Sequence, residues 1–279
     1  MDGAIFIGWN INGSLLVLLL SNRPFYINEI RRTRFVCIRN QKAEGGTSME
    51  IHQFDPTKDD VKTVRETRAL ERELSFAWLQ PDEMMERAGS AITAIIKSQF
   101  PQGTRVTVLA GTGNNGGDGW VCARECARDG YPCTLLTQKH ADDLRANPAK
   151  YEATITEAAS HDDQNLTIVY APDSNQVESA IAQSTVVVDA VLGTGFSGDT
   201  VKEPFASWIR AANAAHQKAD AGTRCHIACD IPSGMNADTG ACADVTFACD
   251  QTVTMLAGKK AMTTDALSSM GTVFLATLV

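Results

Sequence analysis

Three short segments hold residue types able to do chemistry. Gly113-Asn-Asn-Gly-Gly-Asp-Gly119 puts four glycines in seven residues between an apolar run and a helical one. Such glycines let the backbone approach a ligand closely and turn N–H groups into a concavity at a helix N-terminus, which suits a phosphate. Asn114 and Asn115 add amides able to bind a ribose, a phosphate or, through their carbonyl oxygens, a cation. Asp189 ends the run Val186-Val-Val and is followed by Gly193-Thr-Gly-Phe-Ser-Gly198-Asp199. Asp230 ends Ile227-Ala-Cys and is followed by Ile231-Pro-Ser233. Taken singly, either acid could cap a helix or a turn. Together, three such segments beyond the carboxyl ends of strands point to one pocket.

Familiar nucleotide loops fit poorly. Gly111-Thr-Gly113-Asn-Asn-Gly116 has the spacing GxGxxG, but Gln138 and Lys139 stand where a ribose-binding acid would close the second strand. No Lys-Ser/Thr pair ends the loop, so it is not a P-loop, and an ordinary NAD(P)-dependent oxidoreductase is disfavoured. Eight cysteines include no CxxC pair; Cys122/Cys126 and Cys225/Cys229 are four apart and read as small buried residues of a reducing cytoplasm rather than zinc ligands. The 279 residues carry 25 Lys and Arg against 33 Asp and Glu, a net charge of −8, which argues against a nucleic-acid partner. Leu15–Leu20, the longest tight apolar run, is too short for a membrane span and lacks the basic flank and cleavage pattern of a signal peptide. A cytoplasmic protein with no membrane partner is expected.

These segments need strands to hold them. Arg105–Ala110, Cys133–Thr137, Leu166–Tyr170, Thr185–Leu192, Arg224–Cys229, Gln251–Leu256 and Thr272–Ala276 read as strands. Helices are predicted from Val61 to Trp78, from Pro81 to Ile96, through Val121–Arg128 after a Gly111–Gly119 loop, and over 149–159, 175–183 and 202–218. In the first of them Arg65 and Arg68 read as solvent-facing. The alternation predicts an α/β, three-layer Rossmann-like fold with a mostly parallel central sheet and helices on both faces. Residues 1–48 show no sustained periodicity, a basic stretch at Arg31, Arg32 and Arg34, and Gly45-Gly46 just before Met49. They read as a disordered arm or as an extension upstream of a native start at Met49, leaving 49–279 as the domain. That extension is net basic, so the domain is more acidic than the whole chain, and an anionic ligand would be held by loop amides and a bound cation rather than by a basic surface.

Gly113–Gly119, Asp189-Ala-Val-Leu-Gly-Thr-Gly195 and Asp230-Ile-Pro-Ser-Gly234, with Met85-Glu-Arg-Ala-Gly89 upstream and Asp250-Gln-Thr-Val-Thr254 and Lys259 downstream, resemble the NAD(P)H-hydrate epimerase family, the YjeF N-terminal domain. The resemblance covers about residues 61–276. It implies epimerisation of the R and S forms of NADHX and NADPHX, nicotinamide cofactors hydrated on the ring, so that an S-specific dehydratase can restore them. Because no second domain follows, the dehydratase is expected to be a separate protein; a homodimer is also implied. Carried over by motif, the substrate would meet Asn114, Asn115, Gly116, Gly117 and Asp118, then Gly193, Thr194, Gly195, Phe196, Ser197, Gly198 and Asp199, and Asp230. A potassium ion would be held by Asn115, Asp189 and Ser233, all oxygen-bearing as a hard cation requires. Asp230 is the expected acid and base, since a carboxyl group could protonate the hydroxyl, release water to leave an iminium, and accept the proton of the water that re-attacks. An Asp230→Asn change is expected to abolish the reaction and spare the fold. Relatives carry a Lys where Ser197 aligns, so that Lys has no counterpart here. Lys259 matches a family Lys or is a solvated surface residue, and Trp120 reads as packing. The rival reading is a non-catalytic nucleotide-binding dimerisation or scaffold module of the same fold.

Overall fold

The computed structural model describes residues 49–219 and 222–279, with three short strands ahead of them. The chain forms two compact units, Met1–Phe35 and Val36–Val279. In the first, β1 (Ile5–Trp9) pairs antiparallel with β2 (Leu15–Leu19), Ile5 opposite Leu19 and Trp9 opposite Leu15. Both runs are apolar at nearly every position, so neither carries a period from which a strand can be read. The rest of the expected extension, apart from a two-residue strand at 38–39, lies outside the described residues.

The second unit starts with β3 (Ile38–Arg39), β4 (Glu50–Gln53) and β5 (Val61–Lys62). Helices α1 (Val64–Ala77) and α2 (Pro81–Gln99) follow. Then come β6 (Val106–Ala110), α3 (Asn114–Arg128), β7 (Cys133–Thr137), α4 (Asn147–Ala159) and β8 (Leu166–Tyr170). The unit closes with α5 (Ser174–Gln183), β9 (Val186–Ala190), α6 (Phe205–Lys218), β10 (Cys225–Cys229), β11 (Gln251–Met255), β12 (Gly258–Lys259) and β13 (Thr272–Ala276). Helix α1 starts at Val64 rather than Val61 because Thr63 forms a capping box with Glu66: the Thr63 hydroxyl accepts from the Glu66 N–H while the Glu66 carboxylate accepts from the Thr63 N–H at 2.8 Å. Val61 instead joins β5, which pairs parallel with β12.

A nine-stranded sheet runs β3-β4-β13-β11-β10-β9-β6-β7-β8. From β13 to β8 every neighbouring pair is parallel, and β3 and β4 add an antiparallel edge. The two-residue period of a strand sends alternate side chains to opposite faces. Val106, Val108 and Ala110 of β6 pack with α2, α3 and α4, whereas Leu109 packs with α5 and α6. This is the expected three-layer α/β architecture. Five of the seven described cysteines are buried, and Trp120 is fully buried in the core. Among the described residues no helix is long and apolar enough to cross a membrane.

Helix α3 departs from expectation. It begins at Asn114, inside the glycine string, so Gly116, Gly117 and Gly119 are helical. A β-carbon on Gly116 would overlap the Gly111 carbonyl, one on Gly117 would meet the Met85 sulfur, and one on Gly119 would stand 2.7 Å from the Ala190 Cβ. Packing, not turn geometry, demands these glycines, and Gly's low helix propensity hid the helix start.

His226 is a buried exception among the apolar strand residues. Its ring stacks between His216 (4.3 Å) and Phe247 (5.0 Å), with Nδ1 3.0 Å from the Ala248 carbonyl. Burial, followed by the His216 charge, lowers its pKa to about 3. The unfolded chain takes up this proton near pH 6.5 and the folded protein does not until about pH 3. The contribution is therefore complete above pH 6.5 and is lost as the pH falls. Stability is expected to drop by about 2 kcal/mol at this site between pH 7 and pH 5. Urea unfolding of His226→Phe at both pH values should show a correspondingly smaller difference; an unchanged difference would refute this origin.

Candidate functional site

The chain leaves β6 outward to β7 and β8, then returns to β9 on the other side of β6. Such a reversal opens a crevice beyond the carboxyl ends of the two strands. The Gly111–Gly113 turn, the turn after β9 and the segment after β10 all end there. The cleft has two halves. One is walled by Gly113, Asn114, Asn115, the Val191–Phe196 turn and Arg68. The other is lined largely by apolar side chains, including Met84, Met85, Met255 and Leu278. Glu71, Asn114, Asp118 and Asp230 line both, so three carboxyl groups meet at the junction.

Asp230 occupies the left-handed region at φ 64° as the chain leaves β10. That bend turns its side chain toward Lys259, whose Nζ lies 2.6 Å from Oδ1. Thr254 Oγ1 (3.3 Å) and the Met255 N–H (3.4 Å) donate to the same oxygen. Lys259 is 1% exposed and also donates to the Met255 and Ala257 carbonyls at 2.9 and 3.1 Å. It is thus no solvated surface residue: it is a buried cation fixed on the Asp230 carboxylate. Asp118, on α3, has a different setting. Its Oδ2 accepts only a thiol contact, from Cys229 at 3.8 Å, and no Lys, Arg or His among the described residues forms an ion pair with it. Burial, then the charges of Asp230 and Glu71, push its pKa well above the carboxylate range. Glu71 faces the cleft from α1, and the surrounding protein, then Asp230, raises its carboxyl as well.

Asp189 is fully buried at the end of β9. Its Oδ1 accepts from the Ser233 hydroxyl (2.6 Å) and the Val191 N–H (3.2 Å), and its Oδ2 from the Ser233 N–H (2.8 Å). Burial raises its pKa to about 6 against the pull of these hydrogen bonds. Ser233 also accepts from the Leu192 N–H at 2.7 Å, tying the β9 turn to the segment after β10. Asn115 packs its side chain against Gly193 and leaves its buried amide nitrogen without a partner among the described residues. Oxygen atoms of Asn115, Asp189 and Ser233 thus surround one turn, with no cationic side chain against the buried carboxylate among the described residues. That donor set fits a hard cation.

Residues 81–261 match the family model described as the YjeF-related protein N-terminus. The chain belongs to this YjeF N-terminal family. It is 34% identical over 201 residues to the "Bifunctional NAD(P)H-hydrate repair enzyme Nnr" of Coxiella burnetii, covering 72% of this chain and 37% of that protein. It is 35% identical over 177 residues to the "NAD(P)H-hydrate epimerase" of Rhodopirellula baltica, covering 63% and 66%. The epimerase of Cenarchaeum symbiosum is 31% identical over 172 residues, covering 61% and 73%. The chain spans about a third of the length of the bifunctional relatives it matches. Among solved structures, the yeast protein ynu0 (YNL200c) superposes with a TM-score of 0.61 at 22% identity over 73% of this chain and 83% of that one, a likeness of fold.

Within this family fold, the residues singled out in the sequence divide. Asn114, Asn115, Asp118, Gly193, Thr194, Gly195, Phe196 and Asp230 line the cleft. Asp189 and Ser233 lie beneath it as a hydrogen-bonded pair. Gly116 and Gly117 are packed inside α3, and Ser197, Gly198 and Asp199 are not among the lining residues. Arg68 is exposed, as expected, and also lines the cleft, 3.8 Å from where a Gly195 Cβ would lie; Glu71, with no motif around it, was not singled out in the sequence. Both come from α1, outside the matched residues 81–261. Their spacing of three on one helical face was the available signal.

Proposed function

We propose that this cleft epimerises the R and S forms of hydrated nicotinamide dinucleotides, NADHX or NADPHX, and supplies the S form to a dehydratase. The relatives named as NAD(P)H-hydrate epimerases support this reading, and the observation that carries it is Asp230, held by the buried Lys259 at the junction of a two-part cleft. The hydrated carbon bears a hydroxyl beside the ring nitrogen. A carboxylic acid protonates that hydroxyl, the C–O bond breaks, water departs, and the nitrogen lone pair forms an iminium. Water then adds to either face and gives its proton to a carboxylate. The apolar half of the cleft suits the nicotinamide ring. The half with Arg68 and the Gly193–Gly195 turn suits the pyrophosphate, since close-approaching backbone and one guanidinium offset the negative charge. Mixed R/S NADPHX incubated with this protein and an S-specific dehydratase should convert completely to NADPH. Half the substrate persisting beyond the spontaneous rate would instead favour a binding or scaffold module.

Potassium is part of the proposal, held by Asn115, Asp189 and Ser233. When bound it would supply positive charge that neutralises the buried Asp189 beneath the β9 turn. At pH 8, replacing choline by potassium as the sole cation is expected to raise Tm by several degrees, because an ion that binds only the folded protein stabilises it by mass action. Asp189→Asn should remove that increment. Equal Tm values in the two salts for the wild type would reject the site.

A further inference from the structure

Resting on the epimerase reading, we propose that Asp118 is the proton donor to the departing hydroxyl and that Asp230 is its partner base. The two carboxyls line both halves of the cleft, yet their partners differ. Asp230 carries a buried ammonium at 2.6 Å, a hydroxyl and a backbone N–H, the surroundings of a carboxylate. Asp118 has one thiol contact at 3.8 Å and, among the described residues, no ion-pair partner, the surroundings of a neutral acid. A carboxyl paired with a buried cation and a neighbouring one without such a partner divide naturally into base and acid. The other charged or titratable groups that act on Asp118 are Glu71 on α1, Cys229 on β10 and Lys259 on β12; α2 and α4 present Met84, Met85 and Pro148, all uncharged. The direction of the Asp118 shift agrees: burial and the two neighbouring carboxylates favour its protonated form.

The step balances. Asp118 gives its proton to the hydroxyl, the C–O bond breaks and one water leaves with an iminium behind it. A second water forms the new C–O bond and gives one proton to Asp230. That proton returns to Asp118 through water, so the pair ends as it began. Neither oxidant nor reductant is needed.

The decisive comparison is wild type against Asp118→Asn, with kcat and KM for NADPHX epimerisation measured from pH 5 to 10. Asn copies the shape of a neutral carboxylic acid, so the variant should fold with nearly unchanged Tm. Its kcat should fall about 10²-fold or more while KM changes little. The wild-type decline in kcat at high pH, where the acid loses its proton, should be absent from the variant's residual rate. Difference infrared spectra at pH 7 should show a protonated-carboxyl band in the wild type that Asp118→Asn lacks. A raised KM with unchanged kcat would make Asp118 only a substrate contact and overturn the proposal, as would persistence of the high-pH decline or absence of the infrared band. A wild type that does not epimerise overturns the epimerase reading itself, and this assignment with it.

Discussion

Asp230→Asn is expected to lower epimerisation about 10³-fold, within the range that a positioned acid or base contributes. The backbone should tolerate the change, because Asn is among the few non-glycine residues at ease at a φ of 64°. Stability is another matter. Lys259 is 1% exposed and, among the described residues, Asp230 is the only carboxylate paired with it, so the substitution leaves a buried ammonium uncompensated. Breaking a buried pair at one end costs about 3 kcal/mol or more. This revises the expectation from sequence that the variant would spare the fold. The double variant Asp230→Asn, Lys259→Met should recover most of that loss without recovering activity, as the replacement fills the same space without charge. Rates from the dehydratase-coupled assay and urea unfolding of the three proteins separate the two effects. Substantial activity in either Asp230 variant would remove Asp230 from the chemistry.

Gly116→Ala should be strongly destabilising. Helix propensity favours Ala over Gly by about 1 kcal/mol, and Gly116 sits within α3. The added methyl would nevertheless overlap the Gly111 carbonyl, a backbone group that cannot rotate away. Overpacking costs typically 1–3 kcal/mol and more where backbone must move, so the clash outweighs the propensity gain. A net loss of about 3 kcal/mol, or a Tm lower by roughly 6–12 °C, is expected for a unit of this size. Gly113→Ala is the control. Nothing lies within 4 Å of its would-be Cβ, and it should change stability by less than about 1 kcal/mol. Equal effects at the two positions would mean that chain flexibility, rather than packing, is what the glycines provide.

Much of the fold was legible because strands and helices of the α/β unit obey local periods. Strands β6 to β11 fall within two residues of the apolar runs that predict them, and Pro81 and Gly130 mark helix ends. Local cues mislead where they conflict with packing. The glycine string looked like a loop because four glycines disfavour a helix, yet close packing on Gly111, Met85 and Ala190 compensates that propensity. β4 and β5 are too short to carry a period, and each is held by a partner more than 190 residues away in β13 or β12.

The candidate site divides along the same line. Sequence alone determined the three segments, the acids that end β9 and β10, and the family, because each is a contiguous motif whose chemistry depends on neighbours in the chain. Only the tertiary structure decided that Arg68 and Glu71 reach the cleft from α1, that Lys259 is buried on Asp230, and that no cation among the described residues forms an ion pair with Asp118. Those facts come from contacts between residues up to about 190 positions apart, and the dielectric surroundings of a carboxyl group are a property of everything packed around it, which no local pattern encodes.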